Sequence, residues 1–403
     1  MKIILLPVVF CAALAVNAQE KSSFKFAFGD RAPQTGWTQI TPTNFYSAET
    51  GCGFEPGAVV GGKDFATGEI PFLFSVKLPE GNYAVTVTFG DAGGSVATVK
   101  AEQRRLMVEK ISGAQTRTFI AHLHTPRISD TEHVKLKQRE RETETVNWDD
   151  KLTLEFNGTH PTLRALVIAP TNVPTIFIAG DSTVCDQPAE PWNSWGQMLP
   201  RFFQPDVAVA NYAESGESIK SSLGAKRFDK IFSLMNKGDY LFVQFGHNDQ
   251  KDKATNALAT YKANLKKIVA RTRDLGGTPV LVTSMERKRE PIQDTLGGYP
   301  QTVRDVAREE NVALVDLHAM SKVFYRALGA DVDKAFQDGT HHNNYGSYEL
   351  AKCVVAGIQH DKLPLAKSIR DDFGDFDPAK PDDVNKFEMP ASPTVSKEKP
   401  LGN

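Results

Sequence analysis

The sequence is poor in cysteine, close to charge balance and, past its first residues, free of long hydrophobic runs, and each shortage excludes something. The 403 residues hold four cysteines. One of these, Cys11, sits in an apolar N-terminal run. The remaining Cys52, Cys185 and Cys353 are too few for a disulfide framework and are not spaced as a metal site. One pair at most can form, so stability must come from buried cores, which a chain this long can build. A formal net charge of −2, from 47 basic and 49 acidic residues, argues against the clustered basic surface of a nucleic-acid binder. No later segment approaches the length needed to span a bilayer.

The first residues follow another pattern. Lys2 supplies a positive start, Ile3 to Val16 is apolar apart from Pro7, and Val16-Asn17-Ala18 is a small-residue cleavage site. This predicts a signal peptide over residues 1–18, a mature chain from Gln19 and an exported protein. Cys11 lies inside the apolar run, poorly placed for a lipid anchor.

The rest divides by period. From about Phe24 to Ala169, Tyr83, Val85, Val87 and Phe89 alternate with Ala84, Thr86 and Thr88, and Leu152, Leu154 and Phe156 alternate with Thr153 and Glu155. Short period-two runs broken by Gly, Pro and Asn predict antiparallel strands with one solvated face, and so a β-sandwich over residues 19–170. His122 and His124 share a strand face without a third metal ligand nearby, and read as an ordinary surface or satisfied pair. Trp37, Phe45, Tyr46 and Trp148 are candidates for stacking on sugar rings, with core packing the favoured reading.

After a Pro-containing linker, Thr171 to Thr175, apolar runs alternate with helical segments. Strands are predicted at Phe177–Ala179, Val207–Asn211, Tyr240–Phe245, Val280–Thr283 and Ala313–Val315. Helices are predicted at 195–203, 227–235, 258–273, 299–309 and 345–360. Such alternation implies right-handed crossovers and a five-stranded parallel sheet covered on both faces, over residues 171–365. Residues 366–403 are polar and Pro-rich, but Phe373, Phe376, Phe387 and Met389 predict an extended arm that docks back on the protein.

Four blocks sit where strands end. Ser182 follows the apolar run Ile176–Ala179 in Gly180-Asp181-Ser182-Thr183. Gly216 follows the second strand, Asn248 follows the third in Gly246-His247-Asn248-Asp249, and Asp338 and His341 precede the last helix. In a parallel sheet these loops converge on one edge. That edge then holds the parts for acyl transfer. Ser182 is the candidate nucleophile, His341 the candidate base and Asp338 the candidate carboxylate to orient the imidazole, although each block alone can also be a turn or a helix cap. The N–H groups of Ser182 and Gly216 and the side-chain amide of Asn248 serve as oxyanion donors.

These blocks, at these strand ends and in this order, resemble the GDSL, or SGNH, hydrolase superfamily. Gly-Asp-Ser-Thr, Gly-His-Asn-Asp and the run Asp338 to Lys352 most resemble rhamnogalacturonan acetylesterases. The N-terminal half resembles the galactose-binding-type sandwich modules that accompany such esterases. The resemblance implies a flavodoxin-like hydrolase domain, the triad and oxyanion roles just given, and an acetyl-serine intermediate, without cofactor or metal. The lipase-type Gly-x-Ser-x-Gly elbow is absent around Ser182.

One feature bears on substrate independently. Met285-Glu286-Arg287-Lys288-Arg289 follows the fourth strand, and Lys251 and Lys253 follow the Asn248 block. A cationic rim suits a polyuronic acid, whose carboxylates arginine grips in bidentate fashion. Arg287, Arg289, Lys251 and His247 are accordingly the substrate-binding candidates. The partner expected is an acetylated pectic polysaccharide, rhamnogalacturonan above others. The alternatives are another acetylated glycan such as xylan, a lipid or thioester substrate (disfavoured because no lid-like apolar segment flanks the blocks), and a glycan-binding protein without catalysis.

Overall fold

The computed structural model describes residues 23–401 apart from 31, 33, 58, 91–92 and 290–292. The expected signal peptide and Cys11 lie outside the described residues. Cys52, Cys185 and Cys353 are free thiols. No helix among the described residues is long and apolar enough to cross a membrane.

The first half is two packed sheets. One runs in the order Thr116–Leu123, Gly81–Phe89, Leu163–Pro170, Phe24–Phe28, Thr38–Ile40; the other runs Cys52–Phe54, Phe72–Lys77, Lys151–Thr159, Val96–Ala101, Arg105–Ser112. In Gly81–Phe89 the expected alternation holds. Tyr83, Val85, Val87 and Phe89 are buried in a core rich in phenylalanine, where Phe72 and Phe156 stack at 5.3 Å. Thr86 and Thr88 face outward and meet Thr118 and Thr116 across the strand pair at 2.9 and 3.1 Å, side-chain pairs of the kind that fix register. One pair departs from the antiparallel expectation, since Phe24–Phe28 and Thr38–Ile40 run parallel.

A second departure matters more. Thr153 and Glu155, expected on a solvated face, are buried at 2% and 5% exposure. Their face of the second sheet is covered by the C-terminal arm and by the segment after Ser182. Ser392 Oγ donates to Glu155 at 2.9 Å, Asn157 Nδ2 donates to the Ala391 carbonyl at 2.8 Å, and Lys100 Nζ donates to Ser392 Oγ at 2.7 Å. Lys100 also lies 3.5 Å from Glu155 and 3.7 Å from Glu190, which pairs with Arg104 at 2.6 Å.

The second half is a parallel sheet of β1 (Thr175–Gly180), β2 (Ala208–Asn211), β3 (Tyr240–Gln244), β4 (Thr278–Val282) and β5 (Ala313–Val315), in the order β2-β1-β3-β4-β5. Alternate residues split between two cores, because successive side chains on a strand point to opposite faces. Ile176, Ile178, Phe242, Val280 and Val282 pack under α5 (Leu317–Leu328) and α6 (Asn344–His360). Phe177, Ala179, Leu241, Val243 and Leu281 pack under α2 (Arg227–Leu234), α3 (Ala257–Asp274) and α4 (Tyr299–Glu309). Helices α1 (Ile219–Gly224) and α5 are additions to the sequence reading. The single helix expected at 195–203 is one turn, Trp195–Met198, that tightens into a 3₁₀ segment, Leu199–Phe202. Pro200 lies in that segment and has no N–H to continue the α-helical ladder.

Between the halves lie His122 and His124, buried rather than at the surface. His122 bonds Asn82 at 2.7 Å and Tyr212 at 3.0 Å. The His124 ring sits 4.4 Å from both Trp148 and Tyr212. Burial holds both imidazoles below their ordinary range, His122 down to about 3, so they are neutral packing groups. Trp148 is buried in this seam and cannot stack on a sugar, whereas Phe45 is 49% exposed.

The arm does dock back. Phe373, Phe376, Phe387 and Met389 pack on the core under α6, and Phe387 lies 5.4 Å from the rings of Tyr345 and Tyr348. A chain ending at Met389 would open this sheet face to water and lose the hydrogen bonds that Ala391 and Ser392 share with Lys100, Glu155 and Asn157. Each such bond contributes about 1 kcal/mol net, so the shortened chain is expected to unfold several degrees lower in a thermal melt. An unchanged midpoint would show the arm to be passive.

Candidate active site

β1 and β3 are neighbours, while β2 flanks β1 on its other side, so the sheet order reverses between them. Crevices at such switch points, outside the carboxyl ends of the strands, are where open α/β sheets place ligands. The loops after β1, β2 and β3 carry Ser182, Gly216 and Asn248 to that crevice, and the turn before α6 brings Asp338 and His341.

The corner after β1 is built around Asp181. Its Oδ1 accepts from Thr183 N at 2.9 Å and Thr183 Oγ1 at 2.7 Å, and its carbonyl accepts from Val184 and Cys185 N–H at 3.0 Å. A Cβ at position 180 would lie 2.6 Å from Val184 Cγ2 and 2.9 Å from the Gln244 carbonyl, so only glycine permits the turn. Gln187 Nε2 donates to the Ser182 carbonyl at 2.6 Å, and Gln244, itself held by Trp195, donates to Thr183 Oγ1 at 2.9 Å. The serine backbone is thereby fixed on both sides.

Ser182 Oγ lies 2.8 Å from His341 Nε2, and His341 Nδ1 lies 2.9 Å from Asp338 Oδ2. Asp338 Oδ1 accepts from the N–H groups of Thr340 and His341, both at 2.7 Å. Burial pushes the Asp338 carboxyl up, but its bonds to His341 and to these two N–H groups outweigh burial and hold it well below the usual carboxylate range. It is an anion facing the imidazole. Ser182 and His341 are 2% and 1% exposed, and the Trp192 ring stands edge-on to His341 at 5.9 Å. A nucleophile, a base and an orienting carboxylate in hydrogen-bond sequence can take a proton from a hydroxyl and return it to a leaving group.

Gly216 has φ +77°, a left-handed conformation open to glycine. Among the described residues neither the Ser182 nor the Gly216 N–H donates to a protein acceptor. Asn248 spends one N–H on the Glu217 carbonyl at 3.0 Å, and its second can serve an oxyanion.

The rim candidates fare differently. Arg289 is exposed. Arg287 turns inward and donates to the His247 carbonyl and to Thr295 Oγ1, both at 3.3 Å, so it props the Asn248 loop instead of standing free. Lys251 Nζ reaches Asn248 Oδ1 at 3.1 Å. His247 is 2% exposed, with Nδ1 3.4 Å from Asp181 Oδ2; it supports the nucleophile corner and does not line an open surface. Glu286, Asp294 and His318 bring ligand atoms within 4.8 Å of one another. That cluster already meets protein cations and donors: Lys322 pairs with Asp294 at 2.6 Å, and Glu286 accepts from His318 at 3.0 Å and from Thr295 N at 3.0 Å. A cleft of about 750 Å³ lies at the opposite edge of the sheet, lined by Asn82, Tyr83, His122, Thr175 and Asp239 among others. It is remote from the triad, so cavity size does not locate the chemistry.

Asp249 closes the base of the site. Burial pushes its carboxyl up to about 7, against the pull of the Ile219 N–H, with the charge of Asp181 adding to the rise. The folded protein therefore keeps a proton that the unfolded chain releases near the ordinary value of 3.8, and stability falls as pH rises from about 4 to 7. Asp249→Asn removes this term, so its thermal midpoint is expected to drop less between pH 5 and pH 8 than that of the wild type. Parallel profiles would contradict the assignment.

Residues 178–347 match the model of the GDSL-like lipase/acylhydrolase family. The rhamnogalacturonan acetylesterase RhgT of Bacillus subtilis is 37% identical over 212 residues, 47% of this chain and 91% of that protein. A second protein of that species, named a probable rhamnogalacturonan acetylesterase (YesY), is 33% identical over 48% of this chain and 96% of its own length. The uncharacterized esterase YxiM, also from B. subtilis, is 23% identical over 86% of this chain and 94% of its own. The crystal structure of YxiM covers 85% of this chain and 99% of its own, at 24% identity and a TM-score of 0.48.

Proposed function

The chain belongs to the GDSL-like lipase/acylhydrolase family, and on that premise we propose that it is a serine esterase that removes O-acetyl groups from pectic polysaccharide, rhamnogalacturonan first among them. The observation that carries the chemistry is the unbroken chain Ser182 Oγ, His341 Nε2, His341 Nδ1, Asp338 Oδ2, at 2.8 and 2.9 Å. Ser182 Oγ attacks the acetyl carbon as its proton passes to His341 Nε2. The negative oxygen of the tetrahedral intermediate is met by the N–H groups of Ser182 and Gly216 and the Asn248 amide. Collapse breaks the bond to the sugar oxygen, which takes the proton from His341. Water then attacks acetyl-Ser182 with His341 again as base, releasing acetate and restoring the hydroxyl.

The substrate class is supported by the relatives named as rhamnogalacturonan acetylesterases at 37% and 33% identity. Lys288 is paired with Asp333 at 2.6 Å, which leaves exposed Arg289 as the cation of the segment after β4 that favours a polymer carrying carboxylates. The test is acetate release from a panel of acetylated rhamnogalacturonan, homogalacturonan and xylan, beside a long-chain ester, with Ser182→Ala as control. Preference for acetylated rhamnogalacturonan is expected. Faster release from xylan would move the assignment to another glycan, and equal release by Ser182→Ala would end the esterase reading.

A further inference from the structure

The N-terminal half reaches the oxyanion loop with charged side chains. The segment between its strands Thr116–Leu123 and Lys151–Thr159 crosses to the crevice and lays Lys137 and Arg139 against residues 214–217. Lys137 Nζ donates to the carbonyl oxygen of Ser215 and pairs with Glu217 Oε1 at 2.9 Å. Arg139 Nε donates to Glu214 Oε1 at 3.0 Å. Behind them Arg227, 1% exposed, pairs with Glu140 at 2.6 Å, which fixes the short helix Gln138–Glu142 that follows Lys137. The Lys137 side chain is itself 28% exposed. A Cβ built at Gly216 would lie 3.6 Å from Lys137 Nζ, so the ammonium group stands directly beside the glycine.

The Ser215 carbonyl and the Gly216 N–H belong to one peptide unit, which is planar with the two groups pointing in opposite directions. A cation on that carbonyl oxygen draws electron density along the peptide and makes its N–H a stronger donor, as hydrogen bonds in series polarise one another in a low-dielectric site. It also fixes the direction in which the N–H points. The same loop holds the other donor in place, because the Glu217 carbonyl accepts from Asn248 Nδ2. We propose that Lys137, supplied by the N-terminal half, is a positioning residue of the esterase: its ammonium group, bonded to the Ser215 carbonyl and paired with Glu217, aims and polarises the Gly216 N–H toward the oxyanion.

This proposal rests on the acyl-transfer reading. Oxyanion donors act on the transition state more than on bound substrate, so the effect belongs in kcat. With p-nitrophenyl acetate as probe, Lys137→Met is expected to lower kcat by about tenfold or more with KM changed less than about twofold, whereas Lys137→Arg keeps most of the rate. Lys137→Gln retains a neutral donor and serves if the Met variant does not fold; its kcat is expected between those of wild type and Lys137→Met. A wild-type kcat in Lys137→Met or Lys137→Gln, or no rescue by Arg, overturns the proposal. Measured alongside, Ser182→Ala separates the two readings. If it is inactive while Lys137→Met is unimpaired, only the positioning role fails; if it retains activity, the acyl-transfer reading itself fails.

Discussion

Replacing Ser182 with alanine is expected to lower the turnover of acetyl ester by about a million-fold, the scale at which removing a triad nucleophile acts. The substitution deletes one oxygen. That oxygen bonds His341 Nε2 at 2.8 Å, and the corner around it is held by main-chain and side-chain bonds that alanine leaves in place: Asp181 to Thr183, Gln187 to the Ser182 carbonyl, Gln244 to Thr183. The variant should therefore melt close to the wild type and still bind acetylated polymer. Without the hydroxyl, no covalent intermediate forms, and water must attack the ester directly with only His341 and the oxyanion donors to help. Acetate release by equal concentrations of the two proteins measures the ratio. A loss of only a few-fold would place the nucleophile elsewhere, and retained binding with no turnover in either protein would favour the glycan-binding alternative.

The reach of the sequence follows from the physics of the parallel sheet. A run such as Ile176–Ala179 ending in a glycine corner marks a buried strand and its carboxyl end, and the carboxyl ends of parallel strands share an edge. Ser182, Gly216, Asn248, Asp338 and His341 can therefore be gathered from positions far apart in the chain without knowing a single contact. What faces those residues is another matter. Lys137 lies 78 residues from Ser215, on an irregular segment with no period to read, and nothing in a run of Lys, Gln, Arg and Glu distinguishes a brace from a solvated helix. Within the basic run after β4, the direction of Arg287 was hidden for the converse reason. Charge in sequence does not tell where a long side chain points, and Arg287 points inward to the His247 carbonyl. Glu155 fits a solvated strand face until the C-terminal arm, more than two hundred residues later, lies across it. Period-two patterning reports the face toward the strand's own core and is silent about a second cover.

The sandwich touches the catalytic loops at more than one place. Its hairpin turn inserts beside the nucleophile loop: Arg105, 2% exposed, pairs with Asp186 at 2.6 Å, and Gln103 Nε2 donates to the Asp186 carbonyl at 2.6 Å. Asp186 precedes Gln187, which holds the Ser182 carbonyl. One turn of the sandwich thus steadies the nucleophile, and another segment reaches the oxyanion loop. Preorganised donors and a fixed nucleophile are where acyl-transfer enzymes gain most of their rate, and the sandwich contacts the loops that hold both from outside the parallel sheet.

Asp338→Asn separates geometry from charge at the other end of the triad. Asp338 Oδ1 accepts two main-chain N–H groups at 2.7 Å, from Thr340 and His341. Asparagine keeps both bonds only by placing its carbonyl oxygen there, which turns its NH₂ toward His341 Nδ1, where Asp338 Oδ2 now stands at 2.9 Å. A donor facing Nδ1 requires that nitrogen to accept, so the ring proton moves to Nε2. Nε2–H cannot take the Ser182 proton. The variant would then hold every heavy atom near its present position with the imidazole in the unproductive tautomer, and kcat is expected to fall by about 10⁴. The sign with pH follows from the anion that is lost. In the wild type the carboxylate is ionised throughout the working range, because its bonds to His341 and the backbone hold it well below the usual carboxylate range, and it favours the imidazolium that forms during attack. In Asp338→Asn that support is absent at every pH, so the variant's deficit should persist from pH 5 to pH 8 instead of vanishing in acid. A variant within tenfold of wild type across that range would mean that another group orients His341.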